Sequence, residues 1–506
     1  MLSRGGNAVD AAICAAATVA VVYPHMNGIG GDNFWLVYDA GGARLRGLAG
    51  CGRSAASATL EWYRTRGVTE TMPVRGPLAA LTVPGVVDGW WEAHRYSRDV
   101  LKSPLRWGEL LAPAIAHARD GFTPSDGQRR WTPRELDLFG PHADVSIRAG
   151  LWPRYHPEAI AADRLRQPEL ARTLQGIADG GAEEFYRGEL GRRLAGAVVA
   201  AGSPLTFTDF QEHRSEWVEP LTAPYRGGVA ATFPPPTQGF AALAILGMLD
   251  GFDLANASLA DRVHLVVEAT KLAFEDRDRY LADPARVSVP VAHCLDPARL
   301  ARRRGQIDPR SARPGGGVSA TGDTIAIVTA DGHGNAVSLI QSVYHTFGAG
   351  LVAGDTGVVM QNRGAFFSLD PGHPNVLAPR KRTAHTLIPS MYLVGGRPRF
   401  LYGTMGGEGQ PQTLAAVLLR LLEGEPPQEA VDAPRWLYGR TWGEPSKALR
   451  IESRFGEDVA RDLAARGHDV IVTEPYSDLM GHAQAIAMTE EGLLGGSDSR
   501  ADGCAR

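Results

Sequence analysis

Two apolar runs, residues 325–329 and 336–343, flank a turn made from Asp331, Gly332, Gly334 and Asn335, residue types that tolerate left-handed backbone angles. The pattern predicts an antiparallel hairpin. Its first strand is apolar on both faces, so burial is expected, and it starts at a hydroxyl residue, Thr324, directly behind the polar, Gly-rich stretch RPGGGVSATGD. Near the start, an Ala-rich apolar run interrupted by Asn7 and Asp10 predicts a buried helix rather than a secretory signal. It is also shorter than the roughly 20 residues that span a bilayer. Gly28, Gly30 and Gly31 follow, then a strand over 34–38. GLAGCGR, residues 47–53, reads as a turn-rich stretch that leaves Arg53 on a short loop. From Gly76 the chain predicts a strand, a Pro84-Gly85 turn and an amphipathic helix carrying Trp90 and Trp91, with helices onward to about Gln211.

The Pro-rich turn from Phe233 leads into a buried apolar helix, and a second helix ends before Pro284. Residues 302–319 read as a polar loop ahead of Thr324. A strand pair surrounds Gly395-Gly396, followed by a strand-to-helix junction at Met405-Gly406-Gly407 and a helix from Pro411. No internal repeat interrupts this order.

At 506 residues and 44% apolar, the chain can bury a large core, as one multilayer unit or two to three domains. A net charge of -4 with Lys and Arg scattered singly gives no footprint for nucleic acid. Cys14, Cys51, Cys294 and Cys504 lie far apart without C-x-x-C spacing and read as buried or incidental thiols. His264 has no second His or Cys at ligand spacing, so a structural role is expected and no metal. No membrane span and no cofactor are expected either.

The candidate chemistry is sparse. Asp323-Thr324 either bounds a strand or supplies an N-terminal nucleophile. The early glycine cluster follows a helix and precedes a strand, the reverse of a dinucleotide cradle. The backbone N–H groups of Gly406 and Gly407 can face a developing oxyanion, or form a plain tight turn. Glu183 and Glu184 sit in a helical pattern where solvent exposure is the expectation.

Five stretches together resemble the gamma-glutamyltransferase family of N-terminal-nucleophile hydrolases over nearly the whole chain: GGNAVDAA with PHMNGIGGDNF, LTVPGVVDGWWEAH, GDT with DGHGNAVS, MGG near residue 405, and MGHAQAIAMTEEGLLGGSDSRADG. The resemblance implies an α+β fold, a four-layer αββα sandwich of two antiparallel sheets covered by helices. In the family a strand usually precedes the first helix, and none does here. A precursor of this kind cleaves itself, so residues 1–323 and 324–506 are expected as large and small chains that stay associated. The resemblance makes Thr324 nucleophile and, through its freed α-amine, general base; Arg53 the grip on a substrate carboxylate; and Gly406 and Gly407 the oxyanion pair. Cytoplasm is the expected location, or periplasm or exterior if the true start lies upstream.

The departures from the family pattern cluster in the substrate pocket. Ile325 follows the nucleophile where the family has threonine. Tyr344, Phe366, His385 and Thr386 stand at the Asn, Asp and Ser-Ser positions that hold a glutamyl group, and Arg363 joins them in QNRGAFFSLDPGHPN. Without the aspartate, a glutamyl α-ammonium would be poorly paired. The set looks more like a family branch whose members include an oxamate amidohydrolase. Three functions follow as expectations: a γ-glutamyl hydrolase or transferase, an amidase or acylase for another small carboxylate-bearing amide, and a non-catalytic binding module on the same fold.

Overall fold

A computed structural model of the chain describes residues 1–139, 145–160, 163–315, 323–439 and 446–506. It divides into two compact units: Met1–Gly42, Arg46–Val218 and Asp323–His385 form the first, and Ala43–Leu45, Glu219–Gly322 and Thr386–Arg506 the second. Each unit therefore takes residues from both sides of the Asp323-Thr324 bond.

The sheet of the first unit contains β1 (Asp32–Asp39), β2 (Arg44–Gly50), β3 (Glu216–Val218), β6 (Asp323–Ala330) and β7 (Ala336–Tyr344), in the order β3-β2-β1-β7-β6. The expected hairpin is present, with Ile325 opposite Gln341 and Ala330 opposite Ala336. Asp331 makes its turn: the carboxylate accepts the N–H groups of His333 at 2.9 Å and Asn335 at 3.1 Å. It also accepts the N–H of Ala8 at 3.0 Å, while Thr329 Oγ1 donates to Ala8 O at 2.8 Å. The hairpin turn is thereby fastened to the start of the helix Ala8–Val22. Asn7 and Asp10, which break the apolar run in the sequence, form a capping box that satisfies the free N–H groups of that first turn. The helix packs its alanines against Val337 and Leu339 of β7 in one buried cluster with Trp35 and Val37 of β1.

Four expectations need correction here. The first strand of the hairpin is not the buried one: β6 is an edge strand, half-buried over residues 326–329, whereas β7 lies between two strands and is buried throughout. Apolar content does not distinguish an edge from a centre. Residues 47–50 are strand rather than turn, because β3, a segment with no clear pattern of its own, pairs Val218 with Gly47 and Trp217 with Leu48. After Gly76 the chain makes a short 3-10 turn, Pro77–Ala79, and a single bridge between Ser54 and Thr82 instead of a strand. The expected helix with Trp90 and Trp91 follows as Val86–Asp99. The fourth concerns residues 302–319: the helix Pro297–Arg304 takes the first three, and 316–322 lie outside the described residues.

The second unit carries β4 (Leu221–Tyr225), β5 (Gly228–Thr232), β8 (Ser390–Val394), β9 (Arg397–Thr404), β13 (Ala483–Thr489) and β14 (Gly492–Ser497) in an antiparallel sheet ordered β14-β13-β9-β8-β5-β4. The helices Gly239–Leu249, Leu259–Tyr280 and Gln410–Leu422 share a core with Tyr392 and Tyr402 of this sheet. A small mixed sheet adds β10 (Trp436–Tyr438), β11 (Leu449–Glu452) and β12 (Val470–Thr473). His264 hydrogen-bonds through Nδ1 to His468 Nε2 and through Nε2 to Asp308 O, both at 2.8 Å, a partner set scattered along the sequence. Cys51 and Cys294 are buried, Cys14 half-buried and Cys504 exposed, and none of the four forms a disulfide among the described residues. Of the glutamate pair, Glu183 is exposed as expected, while Glu184 is half-buried and accepts Leu190 N–H at 2.9 Å. Among the described residues no helix is long and apolar enough to cross a membrane.

Candidate active site

The start of β6, the end of β7, the start of β1, the end of β2 and the start of β3 lie at one end of the first unit's sheet, as the pairs Asp323–Tyr344, Ser342–Asp32 and Ala49–Glu216 fix. Six of the residues singled out in the sequence come to this unit: Arg53, Thr324, Tyr344, Arg363, Phe366 and His385. Thr324 sits at a bulge between Asp323 and Ile325. It is 2% exposed, and its Oγ1 has no hydrogen-bond partner among the described residues. A buried hydroxyl left unpaired costs about 1–3 kcal/mol, a cost usually met where chemistry needs the atom free.

Opposite Asp323, Tyr344 adopts a left-handed φ of 82°, rare for a bulky residue, and its N–H donates to Ser342 Oγ at 2.7 Å. The Arg363 guanidinium lies 3.7 Å from the Tyr344 ring centre, and the ring of Phe366 meets Tyr344 edge-on at 6.0 Å. Arg363 and Phe366 share the 3-10 turn Arg363–Phe366. Arg363 is 1% exposed, so a full positive charge is buried against two aromatic rings.

Beside it lies a residue that the sequence reading passed over. Asp32 Oδ1 accepts the N–H groups of Gly52 and Gly85, both at 3.1 Å, and Gln361 Nε2 at 3.0 Å; Oδ2 is 3.2 Å from His385 Nε2. Burial pushes the Asp32 carboxyl up to about 7, against the pull of those donors and of Arg363. Burial, then the Arg363 charge, holds His385 well below the usual histidine range. Asp32 was legible only as an acid set directly before a strand apolar on both faces. Gly52 is forced by the same packing, since a Cβ there would stand 1.7 Å from Val83 O.

Arg53 follows β2 on a loop knitted to residues 380–381 by Ser54. It is not a lone cation. Its Nη2 is 3.2 Å from Glu216 Oε1, to which Arg382 also reaches at 2.5 Å. Although burial pulls the Glu216 carboxyl up, Arg382 and Arg53 hold it below the usual glutamate value.

Gly406, Gly407 and Thr386 belong to the second unit. Gly406 and Gly407 both have positive φ, 143° and 52°, and open the 3-10 turn Gly407–Gly409. Neither N–H donates a backbone hydrogen bond among the described residues. Their carbonyl side is fixed instead: Gln238 Nε2 donates to Gly407 O at 3.0 Å and to Thr386 O at 3.2 Å, and Arg277 Nη1 donates to Gln238 Oε1 at 3.2 Å. His482 O accepts Met405 N–H at 2.9 Å, which joins the C-terminal MGH motif to this turn.

An α+β fold in which a buried threonine opens a strand is the architecture of the N-terminal-nucleophile hydrolases. The profile of the gamma-glutamyltranspeptidase family matches residues 1–506, and the chain belongs to that family. It is 45% identical over 510 residues to the oxamate amidohydrolase proenzyme of Klebsiella pneumoniae subsp. pneumoniae, covering 100% of this chain and 95% of the relative. It is 42% identical over 514 residues to the glutathione hydrolase-like YwrD proenzyme of Bacillus subtilis, again over 100% and 95%. Among solved structures, cephalosporin acylase from Bacillus halodurans superposes with a TM-score of 0.91 at 36% identity, over 99% of this chain and 92% of that one. The protein is accordingly a self-processing amide hydrolase of this family, with a small-molecule amide as substrate and processed chains that stay together. A non-catalytic binding module is not the reading these relatives support.

Proposed function

We propose that the chain cleaves itself between Asp323 and Thr324 and then hydrolyses a small carboxylate-bearing amide that lacks an α-ammonium, through an acyl-Thr324 ester. Cleavage frees an α-amine whose reference pKa of about 7.7–8.0 suits a general base near neutrality. That amine takes the proton of Thr324 Oγ1 as the oxygen attacks the amide carbon. The N–H groups of Gly406 and Gly407 take the oxyanion, each donor worth on the order of 3 kcal/mol in the transition state. Collapse breaks the C–N bond, the α-ammonium returns its proton to the leaving amine, and water then cleaves the ester.

The observation that carries this reading is the buried, unpartnered Oγ1 of Thr324 at the bulged start of β6. The substrate preference is supported by Arg363, a buried cation beside Tyr344 and Phe366, where the family holds a glutamyl α-ammonium with an acid. Like charges in such a site cost on the order of several kcal/mol. Arg53 is the carboxylate grip that the family resemblance assigns, its planar fork suited to two parallel hydrogen bonds. Oxamate, which names the 45% identical relative, is an amide bonded directly to a carboxylate and has no α-amine. Initial rates on oxamate, a γ-glutamyl anilide and simple acyl amides test the reading. Oxamate-type amides should exceed the anilide at least about tenfold in kcat/KM, a difference of ~1.4 kcal/mol, and Thr324→Ala should be inactive on all. Faster turnover of the γ-glutamyl substrate than of every small amide would return the protein to the transferases.

A further inference from the structure

We infer that Asp32 is a positioning residue: it holds His385 in the tautomer that leaves Nδ1 as an open acceptor for an N–H of the substrate amide. This rests on Thr324 being the nucleophile. Three donors converge on Asp32 Oδ1, the N–H groups of Gly52 and Gly85 and the Gln361 amide, and among the described residues Oδ2 faces His385 Nε2 alone. An ionised carboxylate only accepts, so His385 Nε2 must carry the ring proton and Nδ1 the lone pair. Above about pH 7 the carboxyl is ionised. His385 is 2% exposed, and Nδ1 has no partner among the described residues.

Thr324 Oγ1 and His385 Nδ1 are thus both buried and unpaired among the described residues. Asp32, the partner of His385, is on β1 and Thr324 on β6, strands separated by β7 alone, on the order of 10 Å. Arg363 stacks on Tyr344, the residue paired with Asp323, and its charge acts on both Asp32 and His385. An acceptor beside a guanidinium selects a ligand that offers an N–H and an anion together. A primary amide with a carboxylate close to it has both, whereas an N-substituted γ-glutamyl amide presents an ammonium to Arg363 instead.

The test uses the mature enzyme with 15N-labelled histidine at pH 8, the His385 resonances being assigned by their loss in His385→Gln. In the wild type Nε2 should be protonated and Nδ1 bare. In Asp32→Asn the new amide N–H donates to Nε2 and drives the proton to Nδ1, so the pattern should reverse. Self-cleavage should persist while kcat/KM for the primary amide falls about 30-fold or more. His385→Gln, which replaces only the Nε2 side, should fall as far; His385→Asn, which keeps an acceptor at the Nδ1 position, should retain more. A proton on Nδ1 in the wild type overturns the inference. So does an Asp32→Asn enzyme with the wild-type tautomer and kcat/KM within about threefold. Should Asp32→Asn not mature, the wild-type tautomer and the two His385 variants decide it. An active Thr324→Ala enzyme would instead overturn the assignment of the nucleophile, leaving the tautomer result standing.

Discussion

Thr324 and Asp32 are both polar residues buried at the rim of one sheet, and each is held in a state that costs stability. For Asp32 the cost depends on pH. Its folded pKa of about 7 stands above a reference of roughly 3.9, so the folded state keeps a proton that the unfolded chain has already lost across that window. The stabilising contribution is complete below the lower value and is lost as pH rises through the upper one. An amide at this position cannot ionise, so the stability of Asp32→Asn relative to wild type should climb between pH 5 and pH 8, by on the order of 3 kcal/mol. Urea midpoints measured across that range check this, and a flat difference would show that Asp32 is not perturbed.

Arg53 gives a second prediction at the same scale. Arg53→Lys should still mature, because Arg382 keeps its hold on Glu216 and the loop is tied by Ser54. It should lose about 30-fold or more in kcat/KM on a carboxylate-bearing amide, as a planar fork becomes a point charge. Unchanged kinetics would remove Arg53 from the site. Phe366→Asp should act in the opposite sense on selectivity. A carboxylate in place of that ring neutralises the Arg363 charge 6.0 Å away and offers an α-ammonium a partner. The ratio of γ-glutamyl-anilide to oxamate turnover should therefore rise, and a fall would break the correspondence of the pocket.

At the scale of elements, the site depends on backbone brought closer than side chains permit. Gly52→Ala sets a Cβ 1.7 Å from Val83 O and must displace the loop that gives Asp32 a donor and presents Arg53. It should cost about 2 kcal/mol or more in chemical denaturation and most of the activity. Gly196→Ala makes the contrast: it lies inside the helix Glu189–Ala201 with nothing within 4 Å of the added Cβ, and should gain about 0.5–1 kcal/mol. The hairpin, the capped first helix and the Met405-Gly406-Gly407 junction were legible because turn chemistry and apolar period are local. The edge position of β6 and the existence of β3 were not, since both depend on which strand lies alongside.

For the molecule as a whole, family motifs made the α+β class and the family legible in one sequence, and they supplied the proposals for the processing bond and the site residues. What they left out are partners far apart in the chain: His385 meets Asp32 across 353 positions, Arg53 meets Glu216 across 163, and Gln238 meets Gly407 across 169. None of these pairs has a spacing that period or propensity can register. The two compact units cross the Asp323-Thr324 bond, each using sequence from either side, so the proposed cleavage there would leave each core assembled from both chains. The central claim is that this bond is cut and Thr324 becomes the amino terminus that does the chemistry. Intact mass and terminal sequencing of the purified protein test it most directly. Two chains, one ending at Asp323 and one beginning at Thr324, with Thr324→Ala remaining a single inactive chain, is the result expected; a full-length chain with amidase activity would contradict it.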